Sequence, residues 1–515
     1  MTFELTRRHT LSLIGLGLGA ATLNLGGIGR VLAQDKDSVT IAWPSDVPSW
    51  DPCQRTQPDA QPIYKMLFEQ PVMQDPDLNF VPGLLTEWSL ADDGLAFAFK
   101  VREGVRFHDG SPLTAHDIRF NWHERVQESL NGGNKIDSAN VWKNVTDITV
   151  DDDHAGTFHF SAPMPTAVQW LAFMANFVVP KDYIQKVGIE AFREKPVGTG
   201  PYKLVEYQIN SRMVFERNED YWGEPAAYDR IVLRNVNNAQ QQKANIEGGE
   251  SQIALDIPGR IAEGMESDTL KVQSSPSPEV LYLEAGAATA DPDVVEAIKL
   301  GIDYEALRTL VGAGAKEATG IIPSMMLGSL PEGEGPESDP EAAKKLLADA
   351  GKTGTEVTLD YANDYTRLAG IDYNVLAQGI QTQLEAIGLK VTLNPTPTST
   401  SLQRYVDGET EMALWSWPPD IADPSDVLVF APGNLIGTRV HWPAEAAPEV
   451  AELAEQARVA TGDDREAAFT AWNKAMNEQA PFAYLLEPSF FLVASTSVEQ
   501  VSHDPLAAIN LSQIR

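Results

Sequence analysis

Metal capture and covalent catalysis need particular side chains at fixed spacings. This chain of 515 residues offers one cysteine, eight histidines and 73 acidic residues. A single cysteine, Cys53, excludes an internal disulfide framework and any cysteine-rich zinc module. The histidines are scattered, which argues against a metal store. There is no His-Glu-x-x-His, no Gly-x-Ser-x-Gly and no glycine-rich phosphate loop ending in Lys-Ser/Thr. Asp75-Pro-Asp77-Leu-Asn79 begins like a calcium loop, but Phe80 and Thr86 stand where that loop needs Gly and Glu. A turn between strands fits it better. Asp151-Asp-Asp153 reads as a solvated turn. His154 and His159 fall on opposite faces of a predicted strand and cannot share a metal. No catalytic residue, metal site or cofactor is therefore expected.

Charge narrows the partners. Lys+Arg number 39, so the formal net charge is −34. Such a surface repels nucleic-acid phosphates and anionic lipid. Residues 1–33 read as a signal peptide: Arg7-Arg8, an apolar stretch from Leu11 to about Ile28, and Val31-Leu32-Ala33 before Gln34. Six glycines in Gly15–Gly29 weaken it as a membrane anchor. The Arg7-Arg8 pair is similar to the twin-arginine export motif, with Thr10 where that motif prefers Phe. Cys53 lies too late to carry a lipoprotein lipid. Cleavage would remove Glu4, Arg7, Arg8 and Arg30, leaving 36 basic and 72 acidic residues at −36. The expected product is soluble, exported and not a lipoprotein.

The elements that would position any site are mixed. Val39–Trp43, Leu95–Val101, Lys203–Tyr207, Met213–Arg217 and Arg230–Asn235 read as strands. Gln61–Gln70 reads as a helix. Thr114-Ala-His-Asp117 is a capping box opening another. Asp339-Pro340 and Gly351 bound a helix over 340–350. The helix Ile371–Ile387, followed by a strand at Leu389–Leu393, suggests a partly parallel α/β lobe. Glu445–Arg458 and Asp463–Glu478 are two more helices.

Two stretches go beyond periodicity. The first holds Tyr64-Lys-Met-Leu-Phe-Glu69, Val81-Pro-Gly-Leu-Leu-Thr-Glu-Trp88, Ala91-Asp-Asp-Gly94 and Phe99-Lys-Val-Arg-Glu-Gly-Val-Arg-Phe-His-Asp-Gly110. The second holds Pro196-Val-Gly-Thr-Gly-Pro-Tyr202 and Phe215-Glu-Arg-Asn-Glu-Asp-Tyr-Trp-Gly223. Both closely resemble the extracytoplasmic solute-binding proteins of ABC importers in the peptide/nickel family, family 5, over essentially the whole mature chain. Physically the motifs read as scaffold. Asp93-Gly94 is a hairpin turn, Gly198-Thr-Gly-Pro201 turns where a side chain would clash, and Tyr221-Trp222-Gly223 plugs a hydrophobic seam.

The resemblance implies a two-lobed α/β periplasmic-binding-protein fold, type II, of the large subclass with an extra domain, the lobes joined by a hinge. Lobe 1 would comprise 34–75, 197–279 and 480–515, with the extra domain 76–196 inserted. Lobe 2 would be 280–479. Ser274–Pro278 and Pro481 would mark the hinge crossings. It implies a periplasmic monomer that closes on a small peptide-like solute and delivers it to permease subunits in the inner membrane. An oligosaccharide, an opine or a nickel chelate on the same fold, or a secreted hydrolase, are the alternatives. In peptide-binding members a lobe-2 Asp meets the ligand ammonium, and that role falls on Asp420 in Ser416-Trp-Pro-Pro-Asp420-Ile-Ala-Asp423-Pro424. Arg367 falls where dipeptide binders carry an Arg for the ligand carboxylate. Trp415 and Trp417 bracket the same strand end, for stacking on a ligand or burial in the lobe. Asp423 suits a structural turn.

Overall fold

The computed structural model describes residues 38–54, 58–76, 78–255, 257–286, 291–312, 314–364, 371–504, 506 and 509–515. The expected signal peptide and Arg367 lie outside them. Among the described residues no helix is long and apolar enough to cross a membrane.

Two sheets organise the chain. The first has seven strands in the order Leu270–Pro276, Ser489–Ser495, Ile253–Leu255, Ser38–Trp43, Arg230–Asn235, Arg212–Arg217 and Tyr202–Gln208. Ser38–Trp43 runs parallel to both its neighbours. The second has five, ordered Lys390–Thr396, Glu356–Ala362, Met412–Trp417, Val280–Ala285 and Phe482–Leu486. Glu356–Ala362, the helix Tyr373–Ala386 and Lys390–Thr396 form the parallel strand–helix–strand unit that the sequence predicts. Asp339 caps the helix Pro340–Asp349 by accepting from Ala342 N at 2.9 Å.

A third, antiparallel sheet orders Leu85–Leu90, Ala96–Val101, Ala155–Phe160 and Val145–Asp152. Its Phe97 and Phe158 belong to the same buried cluster as Ile41 and Phe215 of the first sheet. The two sheets thus share one core.

The chain passes between the first and second sheets at 277–279 and again at Glu487-Pro488, because Val280–Ala285 pairs with Phe482–Leu486 inside the second sheet. This corrects the expected second crossing at Pro481. Pairing with Val280–Ala285 holds the run after Pro481 in the second sheet. The two crossings lie side by side, with Ser277 N donating to Pro488 O at 3.1 Å.

Two motifs show their work. A Cβ on Gly198 would sit 2.0 Å from Leu67 O, and one on Gly200 would sit 2.5 Å from Met66 O. Only glycine lets this loop reach the helix Gln61–Leu67. His108 clips the loop: its N donates to Gly198 O at 2.8 Å, its Nδ1 accepts from Gly198 N at 3.2 Å, and its Nε2 donates to Gly200 O at 3.0 Å. The second motif departs from the hydrophobic-seam expectation. Tyr221 Oη and Trp222 Nε1 donate to Glu69 at 2.8 and 2.7 Å, and Arg102 lies over the Trp222 ring at 4.4 Å. Burial pushes the Glu69 carboxyl up to about 7, while the indole and phenol donors restrain the rise. These aromatics serve a buried carboxylate.

Burial holds the His108 ring near a pKa of about 4, well under its ordinary 6.5. The unfolded chain takes up that proton first. The clip therefore contributes fully above about pH 6.5 and its contribution is lost as pH falls toward 4. Thermal unfolding of His108→Gln, followed by circular dichroism, should give a lower Tm at pH 7.5 and a shallower decline between pH 6.5 and 4 than the wild type.

Candidate functional site

At the end of the strand Met412–Trp417 the second-sheet unit faces the third-sheet unit across a cavity of about 550 Å3. One wall is Val141, Pro163–Thr166 and Trp170; the other includes Trp417, Asp420, Asp426 and Leu428. This size suits a small solute. A second cavity, of about 580 Å3, is lined by residues from the helices and loops around the second sheet, such as Lys299, Trp442 and Gln479. Its cation is already engaged, since Lys299 Nζ donates to Asn477 O at 2.7 Å. The cavity between units is the better candidate, because movement of one unit against the other would open and close it.

Its chemistry is acidic and aromatic. Trp417 stands edge-on to Phe430, ring centroids 5.3 Å apart, and its Nε1 donates to Asp426 Oδ2 at 2.7 Å. The backbone at Asp420 and Ile421 lies against the Asp426 carboxylate and favours its ionised form. Burial, and then the nearby charge of Asp420, push the Asp426 carboxyl well above its ordinary range. Asp420 itself is half-buried on the cavity wall. Two carboxylates, one half-buried and one enclosed, give this wall its acidic character. Arg458 reaches the same wall but is exposed and hydrogen-bonded to Glu455 Oε1 at 3.2 Å.

Of the four residues singled out from the sequence, Asp420 and Trp417 come together here. Trp415 does not. It is 5% exposed and set back in the second sheet's core, its ring 5.6 Å from that of Tyr405. Alternation along the strand does not separate Trp415 from Trp417, since positions two apart share a face; their packing does, Trp415 against Tyr405 and Trp417 at the cavity. Asp423 is structural, as expected. It accepts from Ser425 N at 2.9 Å, Ser425 Oγ at 2.6 Å and an Arg465 guanidinium nitrogen at 2.7 Å.

The opposing wall escapes sequence reasoning. Phe173, Met174 and Ala175 form a buried cluster with Ile421, and Gln74 Nε2 donates to Ala422 O at 3.1 Å. Side-chain amides hold this wall in place. Gln70 Nε2 donates to Ala172 O and Phe173 O at 2.8 and 2.7 Å, and Gln61 Nε2 to Met174 O at 2.8 Å. The available signal was Gln61 and Gln70 flanking an apolar helix, where buried amides imply carbonyls needing donors.

The family model for bacterial extracellular solute-binding proteins, family 5, matches residues 79–434. The chain is 25% identical over 491 residues to di/tripeptide-binding protein 2 of Pseudomonas aeruginosa, covering 88% of this chain and 90% of that one. A dipeptide-binding protein from Pseudoalteromonas in complex with Met-Leu superposes with a TM-score of 0.79 at 22% identity, over 93% of this chain and 99% of that one. NikA from Brucella suis, in complex with Fe(III)-EDTA, gives 0.80 at 20% identity, again over 93% and 99%. The two sheets and their paired crossings are the two-lobed α/β fold of these proteins. The chain belongs to the bacterial extracellular solute-binding proteins of family 5.

Proposed function

We propose that the protein is the periplasmic solute-capturing component of an ABC-type importer for short peptides or related amino-acid derivatives. The carrying observation is Asp420 on the cavity wall beside the enclosed Trp417–Asp426 pair. An ammonium group there exchanges hydration for charge-assisted hydrogen bonds to carboxylate oxygen, which a solute without a cation does not make as strongly. The relatives named for di- and tripeptides support the same reading. Lobe 1 is taken as 34–75, 197–279 and 488–515, lobe 2 as 280–487, and the inserted domain as 76–196. The protein acts as a monomer without chemistry on its ligand, and closure presents the loaded form to permease subunits in the inner membrane. Arg367 remains the proposed partner of the ligand carboxylate.

Titration calorimetry on ligand-stripped protein with Ala-Ala, Ala-Ala-Ala and N-acetyl-Ala-Ala tests this. The free-amine peptides should bind and the acetylated one should not. Binding of an oligosaccharide with no peptide binding would overturn the reading. Asp420→Ala should weaken Ala-Ala by at least about 2 kcal/mol, roughly thirtyfold, because it removes one partner of a buried charge pair.

Closure has its own test. Ile421 is 1% exposed against Phe173 and Met174 of the opposite wall. Ile421→Ala removes buried methyl groups from that seam, a change that costs about 2–5 kcal/mol in a fully packed core. Stopped-flow release of bound Ala-Ala should be at least about tenfold faster, with far-UV circular dichroism unchanged.

A further inference from the structure

The cavity at Asp420 is charged on one wall only. Asp420 and Asp426 both stand on the second-sheet side. The facing wall presents Val141, Pro163, Met164 and Trp170, and among the described lining residues none on that side is charged. Beside the carboxylates, Leu428, Val429 and Leu435 continue the carbon surface. Leu435 is 54% exposed, so its apolar surface is still in water. Other polar side chains of that wall are turned to their own neighbours. Asn434 Nδ2 donates to Leu428 O at 2.8 Å, Ser425 Oγ to Asp423 Oδ1 at 2.6 Å, and Arg458 Nε to Glu455 Oε1 at 3.2 Å.

Resting on the reading of Asp420 as the ammonium site, we propose that this carbon surface is a selective pocket for the side chain of the ligand's first residue, and that the ligands are short peptides opening on a bulky apolar residue such as Leu, Met or Phe. Covalent geometry links the two features. The ammonium nitrogen and the first side chain share one α-carbon, so the first Cβ lies about 2.5 Å from the nitrogen. A nitrogen held at Asp420 therefore puts the first side chain into this same cavity. The second side chain starts beyond the peptide bond, further from the carboxylates.

The surroundings discriminate among first residues. A volume of about 550 Å3 exceeds what an ammonium group fills, so room remains for a large side chain. Moving a Leu or Phe side chain from water onto carbon walls is favourable in proportion to the area covered. An acidic first side chain would meet Asp420 and Asp426 with no cation on the facing wall to offset the repulsion. A first side chain ending in a hydroxyl or amide would give up water for carbon.

The test is calorimetric titration of ligand-stripped protein with Leu-Ala and Ala-Leu, isomers of identical composition, alongside Ala-Ala and Glu-Ala. Leu-Ala should bind at least about tenfold tighter than Ala-Leu, and Glu-Ala should bind more weakly than Ala-Ala. Leu435→Ser shortens a solvent-facing side chain, and Val429→Thr puts a hydroxyl where a methyl lines the cavity. Either variant should reduce the Leu-Ala to Ala-Leu affinity ratio, and the two together should reduce it at least about threefold. Binding of both isomers without a preference for Leu-Ala, Glu-Ala binding as tightly as Ala-Ala, or a preference that all these variants leave intact would overturn the inference and leave the ammonium reading standing. Failure of all four dipeptides to bind the wild type would overturn that reading and this inference with it.

Discussion

Everything in this molecule is arranged around two short extended crossings between sheets. At 277–279 and Glu487-Pro488 the backbone leaves one sheet's hydrogen-bond ladder and enters the other's, and the Ser277–Pro488 bond keeps the two crossings abreast. Each sheet has its own apolar cluster. Ile41, Phe215 and Leu233 anchor the first; Leu283, Leu359 and Leu414 belong to the second. Two cores joined by two adjacent strands can rotate about the join without breaking either core. Side-chain packing then has to decide where the units meet. It does so at Ile421 and at the amide-pinned segment Ala172–Ala175.

A strongly acidic chain must also solve the burial of its own carboxylates, and this one uses different solutions in different places. Asp51 is paired with Arg125 at 2.5 Å, both enclosed, a complete internal neutralisation. Glu69 has donors from Tyr221 and Trp222, and Glu487 has the N–H and hydroxyl of Ser324 at 2.8 and 2.6 Å. Burial still lifts Glu69 and Glu487 each to about 7. Those sites are closed by protein groups. Asp420 and Asp426 differ in bordering open volume, and their proposed ligand role rests on that exposure to the cavity.

Local chemistry made much of the fold legible. The Thr114–Asp117 capping box, the Asp339 cap and the Gly198–Pro201 close approach all depend on residues near in sequence, and the structure has each of them. The reading failed where the outcome depends on a distant partner. Phe482–Leu486 is equally plausible in either sheet until its pairing with Val280–Ala285 is known. Tyr221 and Trp222 look like apolar plugs until Glu69, some 150 residues earlier, comes beside them. Trp415 and Trp417 share one face of the strand, and their spacing does not tell which enters the core and which borders the cavity. The segment Ala172–Ala175 has no periodicity to read, since buried amides rather than helix or strand geometry hold it.

The place of Ser489–Ser495 has a consequence for how the chain is made. This strand is interior, flanked by Leu270–Pro276 on one side and Ile253–Leu255 on the other. The first sheet therefore stays split until residues 489–495 have been made. Throughout synthesis two unpaired strand edges face each other across a missing slat, a template for wrong pairing. Ser489–Ser495 thus zips shut a lobe whose strand Ser38–Trp43 was made more than 400 residues earlier.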